Sequence, residues 1–431
     1  MMTAKHFSLT LPKKSMMTVW FDQFSLFTMV VLMSGLLFLS DDHRFGFPFI
    51  REILAALSIF AFLYLLIFEN HELATADFYL VILALATFIV PPAFAYFYFQ
   101  QPFYLGMVEE RRTLGYFFYF LALFVIGGRT YKQTEVETIL FWIFIVGLLW
   151  SIACAYGFIP KNQAQSFSVN QEQFQEGFVS EDTRFETRFL NGYFVIFLYP
   201  LFLITKNQLT KAFLFFVPVA LYLFFINQTR SISAILVVTI ITLLLIRTKK
   251  ATLITKLMSI VPLLFFIGYL LVYCYASIKG KPVAFYDNYR NLEFGVMFRD
   301  VLKDYFLPHG NLSLHFGDRG FREHFGIGIN VYTSDIGFAG SLYKYGIFYP
   351  FLLTITILLS IKLYRRYDNA ITLILFAYLI GTCALLPFDD HLASFANDMA
   401  IMLLLAKVMR KSPTHKYRMA IRKPDKELKV Q

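Results

Sequence analysis

Long apolar runs alternate with short polar segments along almost the whole chain. A helix needs about 20 apolar residues to cross a bilayer. On that rule the pattern predicts helices over residues 18–40, 49–68, 78–100, 114–128, 138–159, 189–205, 211–227, 231–246, 257–276, 343–362, 370–387 and 396–408. The stretch 211–246 is too long for one straight span, so two short helices are expected around Asn227-Gln228-Thr229-Arg230. The expectation is an all-α polytopic membrane protein of about twelve transmembrane helices. It forms one integral domain over 1–408, followed by a basic tail at 409–431.

Composition supports this. Hydrophobic residues make up 58% of the chain and charged residues 16%, whereas a soluble domain carries about 25% charged residues. Phe and Tyr are abundant, at 52 and 26; such rings suit lipid-facing surfaces and interfacial belts. The net charge of +10 points to anionic lipid rather than nucleic acid. The tail holds Arg410, Lys411, Lys416, Arg418, Arg422, Lys423, Lys426 and Lys429 against Asp425 and Glu427, the pattern of a cytoplasmic anchor. Cys154, Cys274 and Cys383 lie in apolar segments at unrelated spacings, as buried thiols do, with neither a disulfide framework nor a metal site. The first apolar run is long enough to span and stay, so no cleavable signal peptide is expected.

Orientation follows Lys and Arg in short loops. Residues 5–14, 129–132, 206–211, 247–256, 362–366 and the tail are basic and fit the inner side, with both termini cytoplasmic. Two segments run against the rule: Glu69–Asp77, acidic but expected inside, and Glu109-Glu110-Arg111-Arg112, expected in an outer loop. The larger outer segments are 160–188, rich in Gln and Glu, and 277–342, a polar loop between the ninth and tenth helices. The second balances seven basic and seven acidic side chains and carries the turn sequences Pro308-His309-Gly310-Asn311 and Gly317-Asp318-Arg319-Gly320. A folded loop with short helices is expected there. No internal repeat is evident, which disfavours transporter folds built from repeated halves.

Three places carry candidate chemistry. Arg188, with Arg184 nearby, stands at the outer mouth of the sixth helix; snorkelling to headgroups also accounts for it. Arg230 lies in a turn of a few residues between apolar helices, beside Thr229, Ser231 and Ser233. A charge so close to hydrocarbon marks a functional pathway or a paired partner. A guanidinium fork with hydroxyls suits a phosphate oxyanion; a salt bridge to an outer-loop carboxylate is the alternative. The third place is the end of the large loop, where Gly326-Ile327-Gly328 precedes Tyr332, Ser334 and Asp335. Ser334 or Asp335 fits a helix cap, and Asp335 also fits a base for a sugar hydroxyl. The outer histidines His43, His309, His315, His324 and His391 match no metal spacing and read mostly as surface residues. His324, preceded by Arg322 and Glu323 shortly before Gly326, is the best of them.

Arg188 followed by Gly192 and Phe194, the Arg230/Ser231 turn, and a large loop ending in Gly-x-Gly and a helix closing on Tyr345-Gly346-Ile347 together resemble the O-antigen polymerase and O-antigen ligase superfamily (Wzy/WaaL type, GT-C-like membrane glycosyltransferases). The resemblance covers mainly residues 184–240 and 290–350. It implies a metal-independent, inverting transfer without cofactor on the outer face of the bacterial cytoplasmic (inner) membrane. Donor and acceptor would be oligosaccharides on undecaprenyl pyrophosphate, with Arg188 and Arg230 on the pyrophosphate. Asp335 stands eleven residues before Gly346, where the ligase pattern has the histidine of a His-Asn pair, and Ile336 replaces the asparagine. That departure favours the polymerase branch of polysaccharide and lipopolysaccharide biosynthesis over transfer to lipid A core. Asp335 or His324 would then be the catalytic base, with a chain-length regulator as a partner. A lipid-linked oligosaccharide flippase is the reading from another class, but it would keep its cations inside a central cavity and would not need a large folded outer loop.

Overall fold

The computed structural model describes residues 16–38, 49–69, 73–156, 158, 193–223, 230–247, 288–313, 333–384, 392 and 395–409. Among these the architecture is helical throughout, with an isolated bridge between Tyr131 and Met409. The helices are α1 (Met16–Met33), α2 (Ile50–Phe68), α3 (Thr75–Phe99), α4 (Phe103–Glu109), α5 (Phe118–Ile126), α6 (Gln133–Ala155), α7 (Tyr193–Thr205), α8 (Leu209–Leu221), α9 (Arg230–Arg247), α10 (Asn288–Lys303), α11 (Gly337–Tyr345), α12 (Phe348–Tyr367), α13 (Ala370–Ala384) and α14 (Ala396–Val408). Two 3-10 stretches, Glu110–Phe117 and Thr333–Ile336, precede α5 and α11.

Ile50–Phe68, Thr75–Phe99, Gln133–Cys154 and Phe348–Tyr367 are long and apolar enough to cross a membrane. Shorter apolar helices accompany them at Trp20–Met33, Phe194–Thr205, Leu209–Leu221, Ile232–Ile246 and Ala370–Cys383. The expected span 257–276 lies outside the described residues.

Burial sorts the helices into two kinds. From Phe194 to Ile204, α7 is buried on every side apart from the slightly more open Tyr199, and α14 is buried along nearly its whole length. A helix that is apolar all round belongs in the interior, and these two form the centre. α2 instead shows an exposed row of Ile53, Leu57, Phe60, Tyr64 and Ile67, while Leu54, Ala61 and Leu65 face α5 and the rest of the core. Such a face suits lipid. Phe62 of α2 meets Phe120 of α5 with ring centroids 4.8 Å apart.

Polar contacts gather at two ends of the bundle. At one end the Tyr131 N–H donates to the Val408 carbonyl at 2.8 Å, the Tyr131 hydroxyl donates to Asp22 O, and Arg129 pairs with Asp22 at 3.1 Å. Lys206 pairs with Glu137, and the Asn369 amide donates to Ala406 O at 2.8 Å. Asp77, expected to be part of an acidic inner loop, is 1% exposed. Its carboxylate accepts the Ala74 N–H and the Tyr119 hydroxyl, with Lys407 3.7 Å away. An acidic first turn on α3 is also what the helix dipole favours. The opposite end holds the Trp150 indole N–H donating to Leu36 O and all the contacts of residues 101–113 with 309–313.

Two spans are broken where the hydropathy pattern expects one helix. The span expected at 114–128 begins earlier, at Phe103, and is broken into α4, the 3-10 stretch and α5. Residues 109–112 therefore belong to this broken element and not to a free outer loop. The span expected at 343–362 is divided at Gly346 into the short α11 and the longer α12. Gly346 sits at φ +54, where a Cβ would run into the Phe306 carbonyl and the Pro308 nitrogen. Only glycine tolerates both.

If the two polar ends lie on opposite sides of a membrane, cysteines placed at the exposed positions Lys303 and Thr134 in an otherwise cysteine-free protein will behave differently. An impermeant thiol reagent should label one of the two in intact cells and both after permeabilisation. Labelling of both in intact cells contradicts the arrangement.

Candidate functional site

The described part of the large polar loop is fastened into the bundle at a buried polar cluster. Its centre is an ion pair between Lys344 and Glu110, Nζ to Oε2 2.7 Å, with side chains 4% and 1% exposed. An ion in low dielectric is costly unless a partner and further hydrogen bonds compensate it. Both are present. Asn311 Nδ2 donates to the other Glu110 oxygen at 3.2 Å, and Thr333 Oγ1 donates to Asn311 Oδ1 at 3.3 Å. Gln101 Nε2 donates to Asn311 O, and Gln101 Oε1 accepts the Ser313 N–H at 2.6 Å. Ser313 Oγ donates to Glu109 at 2.7 Å. Lys344 also lies 5.1 Å over the Tyr345 ring.

The local sequence explains why these segments meet. Pro91 and Pro92 stand inside α3, both buried, and remove the backbone donors for the carbonyls four residues earlier. Gly310 settles beside that break at φ +81; a Cβ there would meet the Pro91 carbonyl and lie 2.5 Å from the Ala95 nitrogen. The 309–310 backbone then pairs with α11, His309 N–H to Tyr343 O at 2.9 Å and Gly310 N–H to Lys344 O at 3.2 Å.

Beside this cluster His309 is buried, 2% exposed, which corrects its reading as a surface histidine. Its ring stacks on Tyr343 at 4.4 Å and tilts against Tyr98 at the same distance. Nε2 meets Asp304 Oδ2 at 2.8 Å. That hydrogen bond holds the Asp304 carboxyl below its ordinary range. Such enclosure by two tyrosines fits a structural clamp on the turn after α10 better than a base reached by substrate.

Asp398 is a second interior carboxylate, 6% exposed in the central helix α14. The Tyr378 hydroxyl donates to its Oδ2 at 2.9 Å, and Tyr378 itself packs on Phe194 at 4.2 Å. A carboxylate in the core of an apolar bundle is expensive and tends to be functional.

Of the residues singled out from the sequence, Arg184, Arg188, Thr229, His324 and Tyr332 lie outside the described residues. Arg230 and Ser231 open α9, which packs chiefly on α13. Ser334 and Asp335 lie in the 3-10 turn Thr333–Ile336, which packs chiefly on α10 and α11. Only the backbone of these four is described. Thr333, next to Ser334, is the hydroxyl that joins the turn to Asn311. Glu110, Lys344, His309 and Asp398 were not singled out as site residues; the available signal was a charge next to or within an apolar run. Cys154 is buried and Cys383 half-buried.

No family model, no curated protein and no solved structure matches this chain.

Two predictions follow from the cluster. Lys344→Met leaves the Glu110 carboxylate buried without its cation and should cost about 3–5 kcal/mol, read as a marked fall in melting temperature of the purified protein. The double variant Glu110→Leu/Lys344→Met should recover most of that loss, since an apolar pair of similar volume is often neutral. The second concerns acid. A carboxyl whose value is lowered by folding contributes fully above its unfolded value, about 3.9, and the contribution fades as pH falls through the lowered folded value. Melts from about pH 5 to about pH 3 should show the wild type's advantage over Asp304→Asn shrinking as pH falls.

Proposed function

We propose that this protein is a polysaccharide polymerase of the bacterial cytoplasmic membrane. It would transfer glycan from an undecaprenyl-pyrophosphate donor to a lipid-linked repeat-unit acceptor on the outer face. The observation that carries the reading is the joining of a large polar loop to the end of an apolar helical bundle through the buried Glu110–Lys344 cluster. The turn that bears Asp335 is tied to that cluster by the Thr333–Asn311 hydrogen bond. A rigidly held loop end at a membrane surface is what a transfer between two lipid-linked substrates requires, because reacting groups must be held in near-attack geometry.

The proposed step is direct displacement. The acceptor hydroxyl attacks the anomeric carbon of the donor, the bond to pyrophosphate breaks, and the hydroxyl proton passes to a base. Asp335 is the proposed base and His324 the reserve. Arg188 and Arg230 would meet the charge that develops on the departing undecaprenyl pyrophosphate. Arg184, Thr229, Ser231, Tyr332 and Ser334 would support these groups. In this orientation Lys303 faces the exterior and the basic tail the cytoplasm.

Glycan analysis of variant strains tests this. Arg230→Ala should abolish long polymer at matched expression, and Arg230→Lys should rescue poorly because an ammonium lacks the bidentate fork. Arg188→Ala should give the same loss without adding to it, as one shared ligand requires. Asp335→Asn should be severely impaired, whereas a capping role alone tolerates Asn. Single repeat units capped on lipid A indicate lost polymerase; accumulated free undecaprenyl-linked polymer would point to a ligase instead. Normal polymer in Arg230→Ala removes the proposed role.

A further inference from the structure

The turn after α10 carries backbone strain. The helix ends in a Schellman-type turn, with the Phe306 N–H donating to Val301 O at 2.8 Å and the Tyr305 N–H to Leu302 O at 3.3 Å. Such turns place a residue in the left-handed region and normally use glycine there. Here two aromatic residues in succession take it, Tyr305 at φ 55 and Phe306 at φ 61. A Cβ is crowded in that conformation, and persistent strain of this kind points to function. The side chains gain little from the protein in return: Tyr305 is 88% exposed, Phe306 41% and Leu307 51%. Leu302, on the last turn of α10, is 44% exposed.

The tip is nonetheless held firmly. The Ile347 N–H donates to the Phe306 carbonyl at 2.9 Å, and the missing side chain of Gly346 lets residues 306–308 lie against the start of α12. That anchorage makes the tip continuous with an exposed apolar surface on a span. Ile347 is 67% exposed, Phe351 of α12 61%, and Phe97 at the end of α3 71%. α3 and α12 also touch there through Phe94 and Phe348.

We infer that Leu302 and the Tyr305–Leu307 tip insert into the interfacial layer of the bilayer and seat α10 against the lipid surface. Exposed Arg299 and Lys303 then lie at headgroup height, where basic side chains meet lipid phosphate. Asp304, on the same turn, is held by His309. Tyr at such a position has an apolar ring for the acyl boundary and a hydroxyl for water. The lipid seat stands independently of the proposed glycan transfer.

Site-directed spin labelling of the full chain in lipid nanodiscs tests it. Cys154, Cys274 and Cys383 are replaced by alanine, and single labels are placed at Tyr305, Leu307 and Lys303, with Phe351 as the lipid reference. Collision with oxygen should exceed collision with a water-soluble nickel chelate at 305, 307 and 351, and the order should reverse at 303. Nickel-dominated access at 305 and 307 places the tip in water and overturns the inference. Shielding from both reagents places it under protein, a second copy or another chain, and overturns it equally. If the cysteine-free chain does not fold, Tyr305→Trp in the wild-type background replaces it. Brominated lipid should then quench the added fluorescence, and absence of quenching overturns the lipid seat.

Discussion

The buried Glu110–Lys344 ion pair is the constraint around which one end of this molecule is arranged. Two charges in an apolar bundle are tolerated only when they meet each other and find further hydrogen bonds. Meeting requires that residues 101–113, 308–313 and 343–345 converge, although they are far apart in the chain. It also rationalises two departures from regular helix. The span holding Glu110 is drawn into a 3-10 stretch, and the one holding Lys344 stops at Gly346 and restarts. The prolines in α3 and the bare Gly310 provide the space in which the loop backbone lies.

Much of the helical frame was legible in the apolar runs. The expected 49–68, 231–246 and 396–408 agree with the observed helices to within a residue at each end, and 78–100 falls short only at its start. These segments are uniform, so their ends coincide with the first polar residues. The failures at 114–128 and 343–362 have different causes: Gly346 divides the second, and charge misplaces the start of the first. A window that scores apolar character ends a helix at charges, because most charges are solvated. Glu110 is not solvated, and its burial depends on partners that no local window contains.

The site was legible to a lesser degree and for the same reason. The turn carrying Ser334 and Asp335 could be found from its place at the end of a polar loop, next to a glycine-containing helix. Its tie to Asn311 through Thr333 could not. His309 looked like one surface histidine among several; its burial arises from Tyr98 and Tyr343, which come from opposite parts of the chain. Asp398 was visible as the acidic residue of the run 396–408, but only the packing shows that α14 is central and that Tyr378 reaches its carboxylate.

The account rests most heavily on the loop being locked to the bundle. Hydrogen–deuterium exchange of the protein in lipid measures this at the backbone, because the amides of His309, Gly310 and Ser313 donate to Tyr343, Lys344 and Gln101. Peptides covering 309–313 should exchange as slowly as those of α3 in the wild type and much faster in Lys344→Met. Rapid exchange at 309–313 in the wild type would mean that the loop is not held, and would contradict the account.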